Sequence, residues 1–151
     1  AVPHFVNEAM RWGIEQEPYA KAEYTLRTGR QVAPCFFFDH FDIDNFGASP
    51  DGLVGDGLIE CKCPRPSTHI AWVAEGVVPD EHKPQMLAQM ACTGRTWCDF
   101  VSFDPRIKGP RRLFVVRFEP QPSDVAQVED AARQFLEEVE ALFELLTTEA
   151  A

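Results

Sequence analysis

The sequence predicts an α/β layered domain in which a mixed central β-sheet is flanked by helices. Three observations carry that expectation. Apolar residues recur at helical spacing near the start of the chain and again from Asp124 onward. Between them lie short apolar or alternating runs bounded by Gly, Pro and Asp, which read as strands. The resulting order, helix, β-hairpin, two helices, two strands, helix, needs a helical crossover and therefore layers. With 151 residues, 45% of them hydrophobic, the chain 1–151 has the material for one domain and one sizeable core.

The first helix is expected over residues 4–28, where Phe5, Val6, Ala9, Met10, Ile14, Ala20, Tyr24 and Leu26 recur and Gly29 terminates. Pro18 is expected to break or kink it into two. Residues 31–39, with Val32 and Phe36-Phe37-Phe38, read as a buried strand, and Asp39–Asn45 as a hairpin loop. That loop has acids enough for calcium but lacks the glycine and closing glutamate of an EF-hand.

A second hairpin follows in Ser49-Pro50-Asp51-Gly52-Leu53-Val54-Gly55-Asp56-Gly57-Leu58-Ile59-Glu60-Cys61-Lys62-Cys63-Pro64, where Gly55, Asp56 and Gly57 supply turn chemistry. Pro66-Ser67-Thr68 offers a cap for a short helix ending at Gly76. Another helix runs from about Asp80 to Cys92 and ends at Gly94. Strands are expected at Trp97–Asp104 and Leu113–Phe118 around the turn 105–110. The tail, about 123–148, places Val125, Val128, Ala132, Phe135, Val139, Leu142 and Leu146 in a narrow helical seam. Its predicted partner is the domain's own sheet, with a coiled coil between subunits as the alternative.

Charge and cysteine content narrow the function classes. The net charge of −10 argues against a protein that coats nucleic acid. The tail, however, holds eight acids against Arg133 alone, so the remainder is only mildly acidic and a focused channel is still open to it. Arg106, Lys108, Arg111 and Arg112 form a basic edge that suits phosphate, an acidic helix of a neighbouring subunit, or solvent. Five cysteines without zinc-finger spacing point to a reduced, intracellular protein, with Cys61 and Cys63 as small core thiols. No apolar run has membrane-spanning length, and the first residues lack a signal-peptide profile.

The second hairpin carries the chemistry. Residues two apart on a strand share a face, so Glu60 and Lys62 point together and Cys61 points away. The fold-back returns Glu60 alongside Asp51, which clusters two acids and an ammonium. Carboxylates brought that close need a cation between them, and oxygen ligands suit Mg²⁺ or Mn²⁺. Phosphodiester hydrolysis is what such a centre supports, since a bound ion acidifies water and stabilises charge on phosphate. Lys62, its charged form disfavoured by the ion, is placed to take or steer the water's proton.

Pro50-Asp51, eight residues, then Glu60-Cys61-Lys62 resembles the PD-(D/E)xK nuclease signature. The wider wording SPDGLVGDGLIECKCP resembles the lambda exonuclease and YqaJ-type viral recombinase branch. Trp12-Gly13-Ile14-Glu15-Gln16-Glu17-Pro18 resembles that family's first motif, which makes Glu17 the helix-borne active-site acid and Glu15 its neighbour. The helix with His82-Lys83-Pro84-Gln85-Met86-Leu87-Ala88-Gln89-Met90 resembles the family's glutamine-bearing helix, with Gln85 the better match and Gln89 the runner-up. Arg95–Arg106 matches the same branch. The resemblance runs from Trp12 to about Arg106.

The resemblance implies a restriction-endonuclease-like core. It implies a main metal held by Asp51, Glu60 and the backbone carbonyl of Cys61, and a second ion or its waters held by Glu17, with Mg²⁺ as cofactor and Mn²⁺ as substitute. Gln85 orients the nucleophile or Lys62, and Arg65 and Arg106 are assigned to DNA. The implied activity digests linear double-stranded DNA from 5′ ends and leaves 3′ single strands for recombination. A homotrimer ring and a single-strand annealing protein are the implied partners, in the cytoplasm of a bacterial host of a phage or prophage. Family members usually carry an N-terminal segment with an Arg and a hydroxyl residue that grip the 5′-phosphate; here Ala1 lies eleven residues before Trp12, which puts direction and processivity in question. An endonuclease of the same superfamily and an inactive DNA-binding recombination module are the alternatives. A cysteine redox enzyme rests on Cys61-x-Cys63 alone.

Overall fold

The structure, a computed structural model, describes residues 7–148. Helix α1 spans Glu8–Thr28. Asn7 caps it by accepting the Met10 amide at 2.8 Å, and Gly29 closes it at φ 72°, a left-handed conformation that favours glycine. The predicted break at Pro18 does not occur, and one helix runs through it. Proline forfeits an intrahelical bond, but Ala20 and Tyr24 just beyond it are fully buried against the sheet and hold the helix on course. Phe5 and Val6, expected in this helix, lie outside the described residues.

The predicted strand over 31–39 is a correction. Only Phe38–Asp39 (β1) is strand, paired antiparallel with Gly47–Ala48 (β2), and Ala33 bridges Leu53 alone. Pro34 cannot donate to a ladder, and Phe36 and Phe37 are exposed rather than buried. The loop between β1 and β2 is a hairpin connection, as expected. Buried His40 organises it by accepting the Asp42 and Ile43 amides at Nδ1, 3.1 and 3.0 Å away, so its Nε2 carries the proton and donates to Glu129 at 3.1 Å.

The main sheet contains β3 (Gly52–Val54), β4 (Gly57–Lys62), β5 (Cys98–Phe103) and β6 (Leu113–Phe118), in that order. The β3–β4 and β5–β6 pairs are antiparallel and β4–β5 is parallel, which gives the expected mixed sheet. The parallel pair needs a crossover, supplied by α2 (Pro66–Glu75) and α3 (Lys83–Thr93), the latter entered through a 3-10 turn at Asp80–His82. Arg65, not Pro66-Ser67-Thr68, occupies the cap position of α2, with no side-chain cap bond; Pro66 takes the first turn, where its missing N–H costs nothing.

Strand β4 divides the core between two faces. Ile59 and Cys61 pack with Ala20, Tyr24 and Val101 under α1. Leu58 packs with Trp72, Met86, Met90 and Phe100 under α2 and α3. Gly57, predicted as part of the turn, instead opens β4 against the Trp97 ring, where a Cβ would come within 2.1 Å. Gly55, at φ 55°, is the turn glycine.

The last helix, α4, spans Pro122–Thr148. Its seam meets the domain over its first half, where Val125 packs against the core and Val128 and Ala132 are half-buried. Phe135, Leu142 and Leu146 are 63%, 63% and 66% exposed, so the expected packing of the whole seam onto the sheet does not hold. The helix lies along α3 and is tied to the β1–β2 loop by Glu129–His40 and Arg133–Asp42. It leaves the domain surface before the seam ends.

Candidate active site

The β3–β4 register fixes the site. Gly52 pairs with Ile59, so Asp51 stands opposite Glu60 at the mouth of the hairpin. Its Oδ2 accepts the backbone N–H of Cys61 at 2.7 Å, which anchors the carboxylate one residue along β4. Glu60 is 1% exposed and meets one donor at each oxygen: Lys62 Nζ reaches Oε1 at 2.6 Å, and Gln89 Nε2 donates to Oε2 at 2.7 Å. Lys62 Nζ also donates to Gln85 Oε1 at 3.1 Å. One turn of α3 thus presents Gln85 to the lysine and Gln89 to the glutamate.

Both glutamines weighed in the sequence therefore reach the cluster, with divided roles. The grip of Gln89 on Glu60 was not separable from that of Gln85 by spacing alone, because residues four apart share a face. Gln89 Oε1 is buried without a hydrogen-bond partner, an acceptor left over beside the acids.

The third carboxylate comes from α1. Glu17 acts electrostatically on Asp51 and is ion-paired to Lys21 one turn on. Glu15 is exposed and instead lines a separate groove, so of the two acids Glu17 is the one directed at the hairpin. Lys21 was missed in the sequence, although its spacing of four from Glu17 on a helix was the available signal. His82 was also unassigned. Its ring stacks on Phe100 and meets Trp72 edge-on, and burial, with the charge of Lys62 nearby, lowers its pKa.

The electrostatics are those of crowded acids. Burial and then the charge of Glu60 push the Asp51 carboxyl up to about 7, against the opposing pull of the Cys61 amide. Burial likewise raises the Cys61 thiol and pushes Cys63 up to about 12. Cys61 packs in the core and all five cysteines are free, which gives the redox reading no reactive thiolate at Cys61-x-Cys63.

Among the described residues, no three His, Cys, Asp or Glu side chains converge into a cage for an ion. The fit is to a different kind of site. Two hard carboxylates, one of them raised by the other's charge, form a pair that a divalent cation relieves, and the donors are oxygen throughout. Mg²⁺ takes few protein ligands and keeps several waters, so Asp51, Glu60 and a backbone carbonyl suit it.

Arg65 is exposed just beyond the end of β4, and Arg106 lies over the Trp12 ring at 4.5 Å. With Glu15, Cys63 and Pro64 they line a groove of about 530 Å³. Arg106 is already engaged by buried Asp104, at 2.8 and 3.0 Å, and Arg112 by Glu23 at 2.8 Å. Those pairs lie within one chain, so only part of the basic edge is free for another partner.

Residues 1–96 match the YqaJ-like viral recombinase domain. Among solved structures, an alkaline exonuclease (LHK-Exo) from Laribacter hongkongensis matches at 47% identity and TM-score 0.92, covering 97% of this chain and 76% of that one. LHK-Exo in complex with dAMP matches at 47% identity and TM-score 0.93 with the same coverage. A phage-related exonuclease from Haemophilus somnus 129PT, 16% identical over 93% of this chain and 76% of that one at TM-score 0.70, shares the fold. No curated protein matches.

Proposed function

Because the chain belongs to the YqaJ-like viral recombinase family, with alkaline exonuclease as a close structural neighbour, we propose that it is a metal-dependent exonuclease of linear double-stranded DNA. The reading extends to 5′-to-3′ digestion that leaves 3′ single-stranded tails for recombination, to a homotrimer, and to a single-strand annealing protein as partner in a phage-infected bacterial cytoplasm. No helix among the described residues is long and apolar enough to cross a membrane.

The observation that carries the proposal is the arrangement around Glu60. Its buried carboxylate meets Lys62 on the same strand face, with Asp51 opposite on the partner strand. Asp51, Glu60 and the Cys61 carbonyl are the residues to hold Mg²⁺ or Mn²⁺, with Glu17 serving a second ion. When bound, the ion supplies an acidified water and a Lewis acid for the phosphate. Lys62 stands beside that position with its ammonium fixed by Glu60 and Gln85, placed to donate to a phosphate oxygen or to steer a proton. Gln89 holds Glu60 in the orientation that leaves one oxygen for Lys62. In this reading Arg65 and Arg106, which line the groove beside Cys63, contact the DNA backbone.

Digestion of 5′- and 3′-labelled linear duplex with Mg²⁺, alongside closed-circular DNA, tests the reading. Early release of 5′-labelled mononucleotide, no attack on circles and no activity in Asp51→Ala support it. Cleavage of closed circles makes the protein an endonuclease. Binding of duplex without any hydrolysis makes it a DNA-binding module.

A further inference from the structure

Two acids of the site, Glu60 and Glu17, each have an ammonium of their own. Lys62 pairs with Glu60, and Lys21 pairs with Glu17 from the next turn of α1. The Lys21 side chain is 25% exposed and the Glu17 side chain 35%, so the pair sits at the edge of the site and not free in solvent. The charge of Asp51 also acts on Lys21, while the Asp51 oxygen itself takes the backbone N–H of Cys61. A positive side chain thus already occupies Glu17 Oε1, an oxygen for which a second divalent ion held by that carboxylate would compete.

We propose that Lys21 is a built-in counter-cation, and that a second divalent ion reaches Glu17 only by displacing its ammonium. This rests on the metal reading of Asp51 and Glu60. Lys21 is a positioning residue under this proposal. It neutralises Glu17 while the Glu17 side is empty of metal, and it sets the concentration at which the second ion enters. Two cations on one carboxylate repel strongly in a half-buried site. Lys62 is held in place on Glu60 by Gln85 as well, whereas the Lys21 ammonium is held by Glu17 itself and leaves as the ion arrives. A merely structural i,i+4 pair would contribute to helix stability and leave ion binding unchanged.

The test is calorimetric titration of the full chain with Mn²⁺ alone, without DNA, for wild type, Lys21→Met and Lys21→Arg. Wild type is expected to take up one ion tightly and a second weakly. Lys21→Met is expected to tighten the second step by about tenfold or more and to leave the first within about twofold. Lys21→Arg, which keeps the charge, is expected to follow wild type. Lys21→Gln replaces Lys21→Met where the latter fails to fold. Superimposable isotherms for wild type and the neutral variant overturn the proposal while the Asp51–Glu60 reading stands. Absence of any Mn²⁺ uptake by wild type overturns both.

Discussion

Gln89 donates from Nε2 to Oε2 of Glu60 at 2.7 Å, and both side chains are 1% exposed. A buried carboxylate oxygen that loses its donor is left unsatisfied, at a cost of about 1–3 kcal/mol. Gln89→Leu is therefore expected to lower unfolding free energy by that amount and to reduce turnover through a misplaced Glu60. Gln85→Ala removes a contact to the more exposed Lys62 and is expected to reduce turnover with little change in stability. Denaturant unfolding beside nuclease assays on both variants separates the two roles.

The raised Asp51 carboxyl makes a prediction about pH. Its native value of about 7 exceeds the ordinary 3.8, so the native state binds the proton more tightly than the unfolded chain. In the absence of metal this contribution to stability is full below about pH 4 and is lost as pH rises through about 7. Denaturation in EDTA is expected to show a decline over that window that Asp51→Asn flattens. Saturating Mg²⁺ reverses the sign, because an ion favours the ionised carboxylate and displaces the proton.

The sheet and its site were legible because their signals are local. A two-residue period placed Glu60 and Lys62 on one face, and glycine turn chemistry returned the strand to Asp51. The failures came where tertiary packing overrides a local rule. Pro18 reads as a break, yet burial of Ala20 and Tyr24 carries the helix past it. Phe36 and Phe37 read as core, yet the segment around Pro34 pairs with β3 at Ala33 alone and leaves them exposed. The seam of α4 has the periodicity of a buried face over its whole length, and periodicity cannot say where the domain it packs on stops.

Asp99 predicts a stability defect away from the chemistry. It accepts from Tyr24 at 2.6 Å, Arg117 at 2.8 Å and Arg30 at 3.2 Å, joining α1 to β5 and β6. Burial alone would raise its pKa, but the hydrogen bonds from Arg117 and Tyr24 hold it below the usual carboxylate range. Tyr24→Phe is expected to cost about 1.5 kcal/mol, the value of a bond to a charged acceptor. Asp99→Ala, which strands the donors of a buried ion network, is expected to cost about 3 kcal/mol or more. Mn²⁺ affinity of the folded fraction, measured by titration, is expected to be unchanged in both.

Lys62 offers the sharpest separation of stability from chemistry. Its ammonium is the counter-charge of a carboxylate that is otherwise buried, and in the proposed mechanism it stands beside the attacking water. Lys62→Met leaves Glu60 with Gln89 as its remaining donor, so the metal-free variant is expected to melt below wild type. A divalent ion restores the missing positive charge, and Mg²⁺ is expected to raise the melting temperature of Lys62→Met more than that of wild type. Turnover behaves differently, since an ion bound by Asp51 and Glu60 cannot replace a proton donor on the phosphate side. Loss of at least about a hundredfold in rate is expected at saturating Mg²⁺. Melting curves with EDTA and with Mg²⁺, read beside mononucleotide release, check both halves. Wild-type rates in Lys62→Met would remove the lysine from the mechanism.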